Sequence, residues 1–98
     1  MDLIKLHKIK EFALEQMDKW GIDDWKFVWD TRAVRRYGQC RYGKKEIGIT
    51  KVLANLNTIE ETKDVVLHEI AHALTGPGHG HDFVWKSMCR KVGARPER

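Results

Sequence analysis

The sequence predicts an α+β fold, because apolar residues recur at helical spacing at both ends of the chain and at alternate positions in its middle. The expected order is one helix, three strands in a mostly antiparallel sheet, and two further helices. The 98 residues suit one domain spanning residues 1–98, with no internal repeat or linker to divide it.

The first helix is predicted from Asp2 to Trp20, where an apolar stripe returns every three or four residues before Gly21 stops the helix. The stripe consists of Leu3, Leu6, Ile9 or Lys10, Ala13, Met17 and Trp20. We expect this stripe to face the core, because an amphipathic helix buries its apolar side.

Three strands are predicted after this helix. The first carries aromatic residues at alternate positions, which is typical of a strand with one buried face. These residues are Trp25, Phe27 and Trp29. The second strand is predicted from Val34 to Tyr42, weakened or bulged at Gly38, and a turn at Gly43-Lys44 leads into the third, Lys45 to Thr50.

Two helices are predicted to close the domain. Thr58 is the expected N-cap of the first, with Glu61 completing a capping box, and Gly76-Pro77-Gly78 ends it after about 17 residues. The last helix is predicted from about Asp82 to Val92. Its expected apolar face consists of Phe83, Trp85 or Lys86, Met88 and Cys89.

The second half of the long helix contains the sequence His68-Glu69-Ile70-Ala71-His72. Four residues are slightly more than one helical turn, so the two imidazoles project from the same face and can bind one ion. Glu69 lies beside them, where its carboxylate can reach a metal-bound water as general base. The pattern therefore predicts a hydrolytic zinc site with one Zn²⁺ per chain.

Catalytic zinc usually takes three protein ligands and a water, so a third ligand is needed. His79 and His81 both follow directly after the turn that ends the helix. The metzincin pattern, with its third ligand six residues after the second histidine, does not fit. Gly78 occupies that position, and Thr75 stands where a glycine is required.

The chain resembles the SprT-like family of zinc proteases (SprT, Spartan and Wss1), in which H-E-x-x-H is followed, after a variable turn, by H-G-x-x-F. The second part reads His79-Gly80-x-x-Phe83 here. The resemblance covers about residues 25–92, and its upstream part consists of Arg32-Ala33-x-Arg35-Arg36-Tyr37-Gly38-x-Cys40 and Ile47-x-Ile49.

This resemblance implies a minimal zincin-like domain that acts as a zinc-dependent endopeptidase. It implies that His68, His72 and His79 are the metal ligands and that Glu69 is the catalytic residue. It also implies that a protein or peptide substrate pairs with an edge strand beside the metal helix, for which Ile47–Thr50 is the candidate.

Three further side chains are candidates near this site. His81 is expected at a helix N-terminus or beside a ligand, and as a ligand only if the turn is tight. Tyr37, Tyr42 and His81 are the candidates for stabilising the oxyanion, and the sequence does not choose among them.

Basic residues are concentrated between Thr31 and Lys51, in a chain of net charge +4. The candidates for nucleic-acid contacts are Arg32, Arg35, Arg36, Arg41, Lys44 and Lys45. With interleaved tyrosines they could bind phosphates and stack on exposed bases of single-stranded DNA, although a solvated basic face is the simpler interpretation. The resemblance adds that such proteases are activated by DNA and degrade proteins crosslinked to it.

No apolar run approaches the roughly 18 residues of a membrane span, and the N-terminus lacks the pattern of a signal peptide. We therefore expect a cytoplasmic monomer that is not secreted. Cys40 and Cys89 are expected as thiols in such a reducing compartment. Because only five residues follow Gly93, the chain is expected to be a bare catalytic domain.

Three hypotheses follow from the sequence. The first is a zinc endopeptidase acting on DNA-bound or DNA-crosslinked proteins, and the second is a small regulatory protease that cleaves a specific partner without DNA. The third is a DNA-binding module with a non-catalytic zinc site. Glu69 argues against the third, since a structural zinc site needs no general base.

Overall fold

The computed structural model describes residues 2–32 and 35–97 and confirms the α+β class. Within these residues, three helices and one three-stranded sheet form in the predicted order, with one additional short helix. Their bounds are α1 (Leu3–Lys19), β1 (Lys26–Asp30), β2 (Gly38–Arg41), β3 (Glu46–Thr50), α2 (Lys51–Leu56), α3 (Ile59–Thr75) and α4 (Phe83–Val92). Val34, the predicted start of the second strand, lies outside the described residues.

The sheet has the order β1-β3-β2 and is mixed, whereas the sequence predicted a mostly antiparallel one. A short hairpin joins β2 to β3 and makes that pair antiparallel. β1 lies on the other side of β3 and pairs with it in parallel, with Phe27 opposite Ile47 and Trp29 opposite Ile49. Alternation along a strand determines which face is buried, but it contains no information on strand order.

The prediction that Ile47–Thr50 forms the substrate-binding edge is wrong, because these residues lie in the central strand and are bonded to neighbours on both sides. β2 is an edge strand instead, and it packs against α3. The buried isoleucines at 47 and 49 fit the central position, since a central strand is covered on its core face.

The capping signal at Thr58 placed the start of α3 correctly, and the structure adds a cap on α1 that the sequence interpretation did not name. Asp2 caps α1 by accepting a hydrogen bond from Lys5 N at 3.0 Å, and Thr58 caps α3 by accepting one from Glu61 N at 3.1 Å. α3 has 17 residues, as predicted, and ends at Gly76, whose φ of 93° favours glycine. The helix α2 was not predicted, because its six residues are too few to show a clear period.

The last helix, α4, begins two residues before its first buried residue, Trp85. Asp82 caps it by accepting a hydrogen bond from Trp85 N at 3.1 Å. Phe83, expected in the core, is 78 % exposed, whereas Trp85 is completely buried. The apolar face of α4 therefore starts at Trp85 and continues through Cys89 and Val92.

The core lies between the inner face of the sheet and the apolar faces of α1, α3 and α4. Its largest fully buried side chains are Trp85, Ile9, Met17, Ile47, Ile49, Ile70 and Val66. Burying each such side chain contributes about 1.5–3 kcal/mol, so this cluster fixes α3 against both the sheet and α4. Among the described residues, no helix combines the length and apolar character needed to cross a bilayer.

Candidate functional site

A cavity of about 630 Å³ opens between β2, the second half of α3 and the turn that follows α3. It is lined by Arg35, Arg36, Tyr37, Gly38, Gln39, Cys40, Tyr42, Glu69, His72, Pro77, Gly78, Gly80 and His81. The cavity thus brings the segment around β2 together with α3 and the turn that follows it, including Glu69 and the second histidine of the motif.

Both histidines of α3 pack on Trp85, which reaches them from α4. The His72 ring stacks on the indole at a centroid distance of 5.0 Å, and the His68 ring lies 5.5 Å away. The indole N–H donates to the His68 carbonyl oxygen at 3.3 Å. This buried tryptophan therefore forms a rigid support beneath the first and last residues of the motif.

The His68 ring is fixed by the C-terminal segment. Its Nε2 lies 2.5 Å from the carbonyl oxygen of Arg95 and 3.5 Å from an Asp64 carboxylate oxygen. Because a carbonyl oxygen only accepts, Nε2 is the donor of this hydrogen bond. Asp64 also accepts from Arg95 N at 3.0 Å, which ties this segment to α3.

The two histidines after α3 occupy different environments. The His81 ring lies 5.1 Å from that of His72 and 4.7 Å from the Trp85 indole, and it lines the cavity at its exposed rim. His79 does not line this cavity, and its Nδ1 lies 3.0 Å from Asp82 Oδ2. The structure thus brings His81 beside His72 and directs His79 toward the cap of α4.

Glu69 is almost completely buried, with 2 % of its surface exposed, where β2 approaches α3 most closely. A Cβ on Gly38 would lie 2.9 Å from Glu69 Cγ, 3.0 Å from its Oε2 and 2.8 Å from Val65 Cγ1. Only glycine allows the strand to lie this close to the carboxylate. The Cys40 thiol lines the same cavity, and its burial, followed by the charge of Glu69, raises its pKa to about 12.

Both candidate tyrosines line the cavity and use their hydroxyl groups to hold α3. Tyr42 donates to the carbonyl oxygens of His72, at 2.9 Å, and Gly76, at 3.2 Å. Tyr37 bonds to the hydroxyl of Thr62 at 2.6 Å. Burial is the main cause that raises the pKa of each phenol, in the case of Tyr42 to about 12. These contacts hold α3 in place, and the role of either tyrosine in stabilising an oxyanion stays a prediction.

The basic residues are divided between the cavity rim and acidic partners. Arg35 and Arg36 are exposed and line the cavity, while Arg32 and Lys44 are exposed elsewhere. Arg41 is instead paired with Asp30 at 2.6 Å and with Glu46 at 3.5 Å. Lys45 is paired with Asp24 at 2.8 Å. Only part of the predicted basic set therefore faces solvent without an acidic neighbour in contact.

Within residues 2–32 and 35–97, no three His, Cys, Asp or Glu side chains stand close enough together, as placed, to hold a metal ion. The donor types nevertheless fit zinc, which favours neutral imidazole nitrogens. The His68 ring also follows a common pattern, in which a ligand histidine donates its other N–H to a carbonyl oxygen. Binding one ion would require the imidazoles to turn about their side-chain bonds toward a common point.

The sequence interpretation missed three features of this site. Gly38 was interpreted as a weak point of a strand, although a glycine inside a strand can also mark a close backbone approach. Trp85 was expected as a candidate for the apolar face of the last helix, but its contacts with His68 and His72 were not. The contact between His68 and Arg95 had no local signal, because it joins residues 27 positions apart.

A comparison with curated proteins finds no match. The family model for the SprT-like family matches residues 6–98, which is nearly the whole chain. This chain therefore belongs to the SprT-like family, and that membership suggests a metallopeptidase.

Proposed function

We propose that this protein is a zinc-dependent endopeptidase. The observation that carries the proposal is the cavity in which Glu69, His72 and His81 lie beside the edge strand β2. A general base, imidazole ligands and a strand able to hold an extended chain are the three parts that metal-assisted peptide hydrolysis needs. The SprT-like family supports the same class of reaction.

The residues that would hold the zinc ion are His68, His72 and a histidine from the segment 79–81. When bound, zinc supplies Lewis acidity to the scissile carbonyl and acidifies the attacking water. The Glu69 carboxylate accepts a proton from that water as the new C–O bond forms, and donates it to the amine nitrogen as the C–N bond breaks. Because Glu69 is buried against Gly38, its carboxylate keeps the same orientation when it accepts the proton and when it donates it.

The substrate chain is proposed to pair with β2. This strand pairs with β3 on one side, and its Gly38, Gln39 and Cys40 line the cavity. Main-chain hydrogen bonds to an edge strand hold a peptide with little regard to its side chains. The substrate carbonyl would then lie near Glu69, because the strand and the carboxylate are in contact.

The proposed substrates are proteins bound or crosslinked to DNA. The exposed Arg35 and Arg36 at the cavity rim support this substrate class, since they could bind phosphates next to the site of cleavage. A regulatory protease without DNA needs the same cavity but no phosphate contacts. A module with a non-catalytic zinc site would not need Glu69 in the cavity.

The test is degradation of a DNA-binding protein by the zinc-loaded chain, with and without single-stranded DNA. We expect Glu69→Gln to lower the rate by about 10²–10⁴-fold, the usual contribution of a general base, while zinc content stays the same. Arg35→Ala/Arg36→Ala should remove the stimulation by DNA and its salt dependence. Cleavage that persists in Glu69→Gln would contradict the proposal, and cleavage indifferent to DNA would favour the regulatory protease.

A further inference from the structure

We infer that two copies of this chain form a dimer through the free edge of β1, which departs from the monomer expected from the sequence. Within the described residues, β1 is the outermost strand on the side of the sheet opposite β2, and it pairs with β3 alone. Antiparallel pairing with β1 of a second copy would join the two sheets about a two-fold axis. The inference is independent of the proposed function, because β2, the strand proposed to bind substrate, stays at an outer edge in both copies.

The backbone of β1 has hydrogen-bonding groups that point away from the sheet. Lys26 N donates to Lys45 O at 2.8 Å, so the main-chain groups of Lys26 point toward β3. Successive residues of a strand point these groups to opposite sides, which turns those of Phe27 and Trp29 toward the free edge. A two-fold axis at Val28 would place Phe27 opposite Trp29 of the second copy. The residues with outward groups would then meet as hydrogen-bonded pairs, as an antiparallel ladder requires.

The aromatic side chains of β1 fit the same arrangement. Phe27 and Trp29 are half-buried, and their rings contact each other edge-to-face at a centroid distance of 5.0 Å. They lie beside Ile47 and Ile49 of the central strand, which are completely buried. A second copy would bring its own two rings next to these as cross-strand pairs, and aromatic pairs are among those that stabilise a sheet. The second copy would thus cover apolar surface that the edge position leaves exposed.

The charges of β1 favour a second copy as the occupant of this edge. The strand reads Lys-Phe-Val-Trp-Asp, so its two ends carry opposite charges. The axis at Val28 places Lys26 of each copy opposite Asp30 of the other, and opposite charges that face each other across strands attract. A charge on an edge strand usually discourages pairing. Here the charges instead select one register, because only an axis at Val28 pairs Lys26 with Asp30.

A cavity at the end of β1 would receive the lysine of the second copy. Its volume is about 350 Å³, and it is lined by Trp29, Asp30, Thr31, Arg32 and Arg41. Arg41 is held there by Asp30 at 2.6 Å and by Glu46 at 3.5 Å. Lys26 is exposed on its own chain. Its arrival would give two carboxylates and two cations at this end of the strand, so the added charge is balanced.

The first test is sedimentation equilibrium of the wild-type chain over a range of concentrations. A pair of five-residue strands is smaller than a standard protein interface, so we expect a reversible dimer with a Kd of about 10–100 µM. A chain that stays monomeric up to about 1 mM would overturn the inference.

Lys26→Glu tests the charge pairs of the dimer. It replaces two attractive pairs by two repulsive ones, so we expect the Kd to rise by at least about 10-fold at low salt. Lys91→Glu is the matched control, because it makes the same change of charge at an exposed position of α4, which packs on α3. Equal effects of the two variants would show that net charge, and not this edge, controls association. Circular dichroism checks that both variants fold.

Disulfide crosslinking tests the register directly. Val28 would face itself across the axis in a pair without hydrogen bonds, where Cα atoms lie about 4.5 Å apart, within reach of a disulfide. Val28→Cys should therefore form a covalent dimer on mild oxidation, seen on a non-reducing gel. In Lys26→Cys the two cysteines would lie four residues apart along the paired strands, about 13 Å, and should stay unlinked.

The wild-type chain, which already contains the thiols of Cys40 and Cys89, gives the baseline for this oxidation. Two results would overturn the inference. The first is crosslinking of Lys26→Cys as efficiently as Val28→Cys, because that would exclude the predicted register. The second is a dimer in sedimentation that neither cysteine variant traps, because the two copies would then meet through another surface.

Discussion

The sheet has one face that packs on α3 and one outer face. Each face holds a carboxylate against a glycine, but the two carboxylates have different neighbours. On the outer face, Asp30 is paired with Arg41 at 2.6 Å above Gly48. On the α3 face, Glu69 lies against Gly38 beside the cavity, with the Cys40 thiol near enough for its charge to raise that thiol's pKa. One carboxylate is neutralised by a cation, whereas the other is buried next to the proposed reaction site.

This difference follows from alternation along the strands. Gly38 and Cys40 project toward α3, while Gln39 and Arg41 project outward, so four consecutive residues of β2 serve two purposes. The outer pair holds the edge of the sheet together. The inner pair leaves room for a carboxylate whose burial costs free energy, as is common at functional sites.

Gly38→Ala is the substitution for which we expect the largest loss of activity, and it changes the face of the sheet that packs on α3. The added Cβ would lie within 3.0 Å of Val65 and Glu69 atoms, so β2 and α3 must separate. Overpacking of this kind costs about 1–3 kcal/mol of stability. A displacement of the base by about 1 Å can cost about 10²-fold in rate, so we expect kcat to fall by that factor with little change in KM.

The matched control is Gly43→Ala, because a Cβ at Gly43 would have no heavy atom within 4 Å. Zinc content, kcat and KM are measured for both variants. Gly38 is a positioning residue in this view, and a Gly38→Ala protein that keeps wild-type kcat would remove the distinction between the two faces.

Arg41→Met tests the outer face. It leaves the Asp30 carboxylate, whose side chain is only 15 % exposed, without its closest cation. Loss of one partner of a partly buried charged hydrogen bond costs about 1–3 kcal/mol, so the free energy of unfolding should fall by that amount. The catalytic rate should stay near wild type, since Arg41 faces away from Glu69.

Denaturant unfolding of Arg41→Met, Asp30→Asn and the double variant gives the coupling between the two residues. Stability should be partly recovered in the double variant. A variant that unfolds like wild type but loses peptidase activity would show that the outer face belongs to the site after all.

Tyr42→Phe should lower stability by a smaller amount. It tests whether a residue that follows β2 also helps to hold α3 against the sheet. The substitution removes the hydroxyl that donates to the carbonyl oxygens of His72 and Gly76. Loss of such a hydrogen bond costs about 1 kcal/mol, measured as the change in the free energy of unfolding. A loss of activity by 10²-fold or more, with stability unchanged, would instead support Tyr42 as an oxyanion donor.

Much of the fold could be predicted from local signals. Thr58 caps α3 where the sequence indicated, and the apolar stripe of α1 is buried from Leu6 to Met17. Strand order could not be predicted, because the parallel pairing of β1 with β3 joins segments about 20 residues apart. That missing information led to the wrong substrate edge, Ile47–Thr50.

The candidate site shows the same division between local and long-range information. The spacing of His68 and His72 placed them on one face of α3, and Trp85 supports both. The resemblance assigned the third ligand to His79, and the structure adds that the His81 ring lies beside His72 while His79 contacts Asp82. Neither contact could be predicted from the spacing, because both depend on how the turn between α3 and α4 packs.

The Asp24–Lys45 ion pair is an exposed counterpart of the Asp30–Arg41 ion pair. It has the same chemistry as the Asp30–Arg41 pair, at 2.8 Å, but both of its side chains are about 60 % exposed. The hydrogen bond from Lys45 lowers the pKa of Asp24 below its ordinary 3.8. The stabilisation is therefore present above pH 3.8 and is lost as the pH falls through the lower folded-state pKa.

Asp24→Asn should flatten the stability-versus-pH curve only at its acid end, and the change in stability should be small. The change should decrease as salt is added, because exposed charges are screened over about 10 Å at 0.1 M. Asp23→Asn is the control, since it removes the same charge without the contact to Lys45. Thermal unfolding at a series of acidic pH values measures both. If Asp24→Asn lowered stability as much as Asp30→Asn, burial would not distinguish the Asp30–Arg41 pair from the Asp24–Lys45 pair, and the contrast between buried and exposed carboxylates would have no energetic basis.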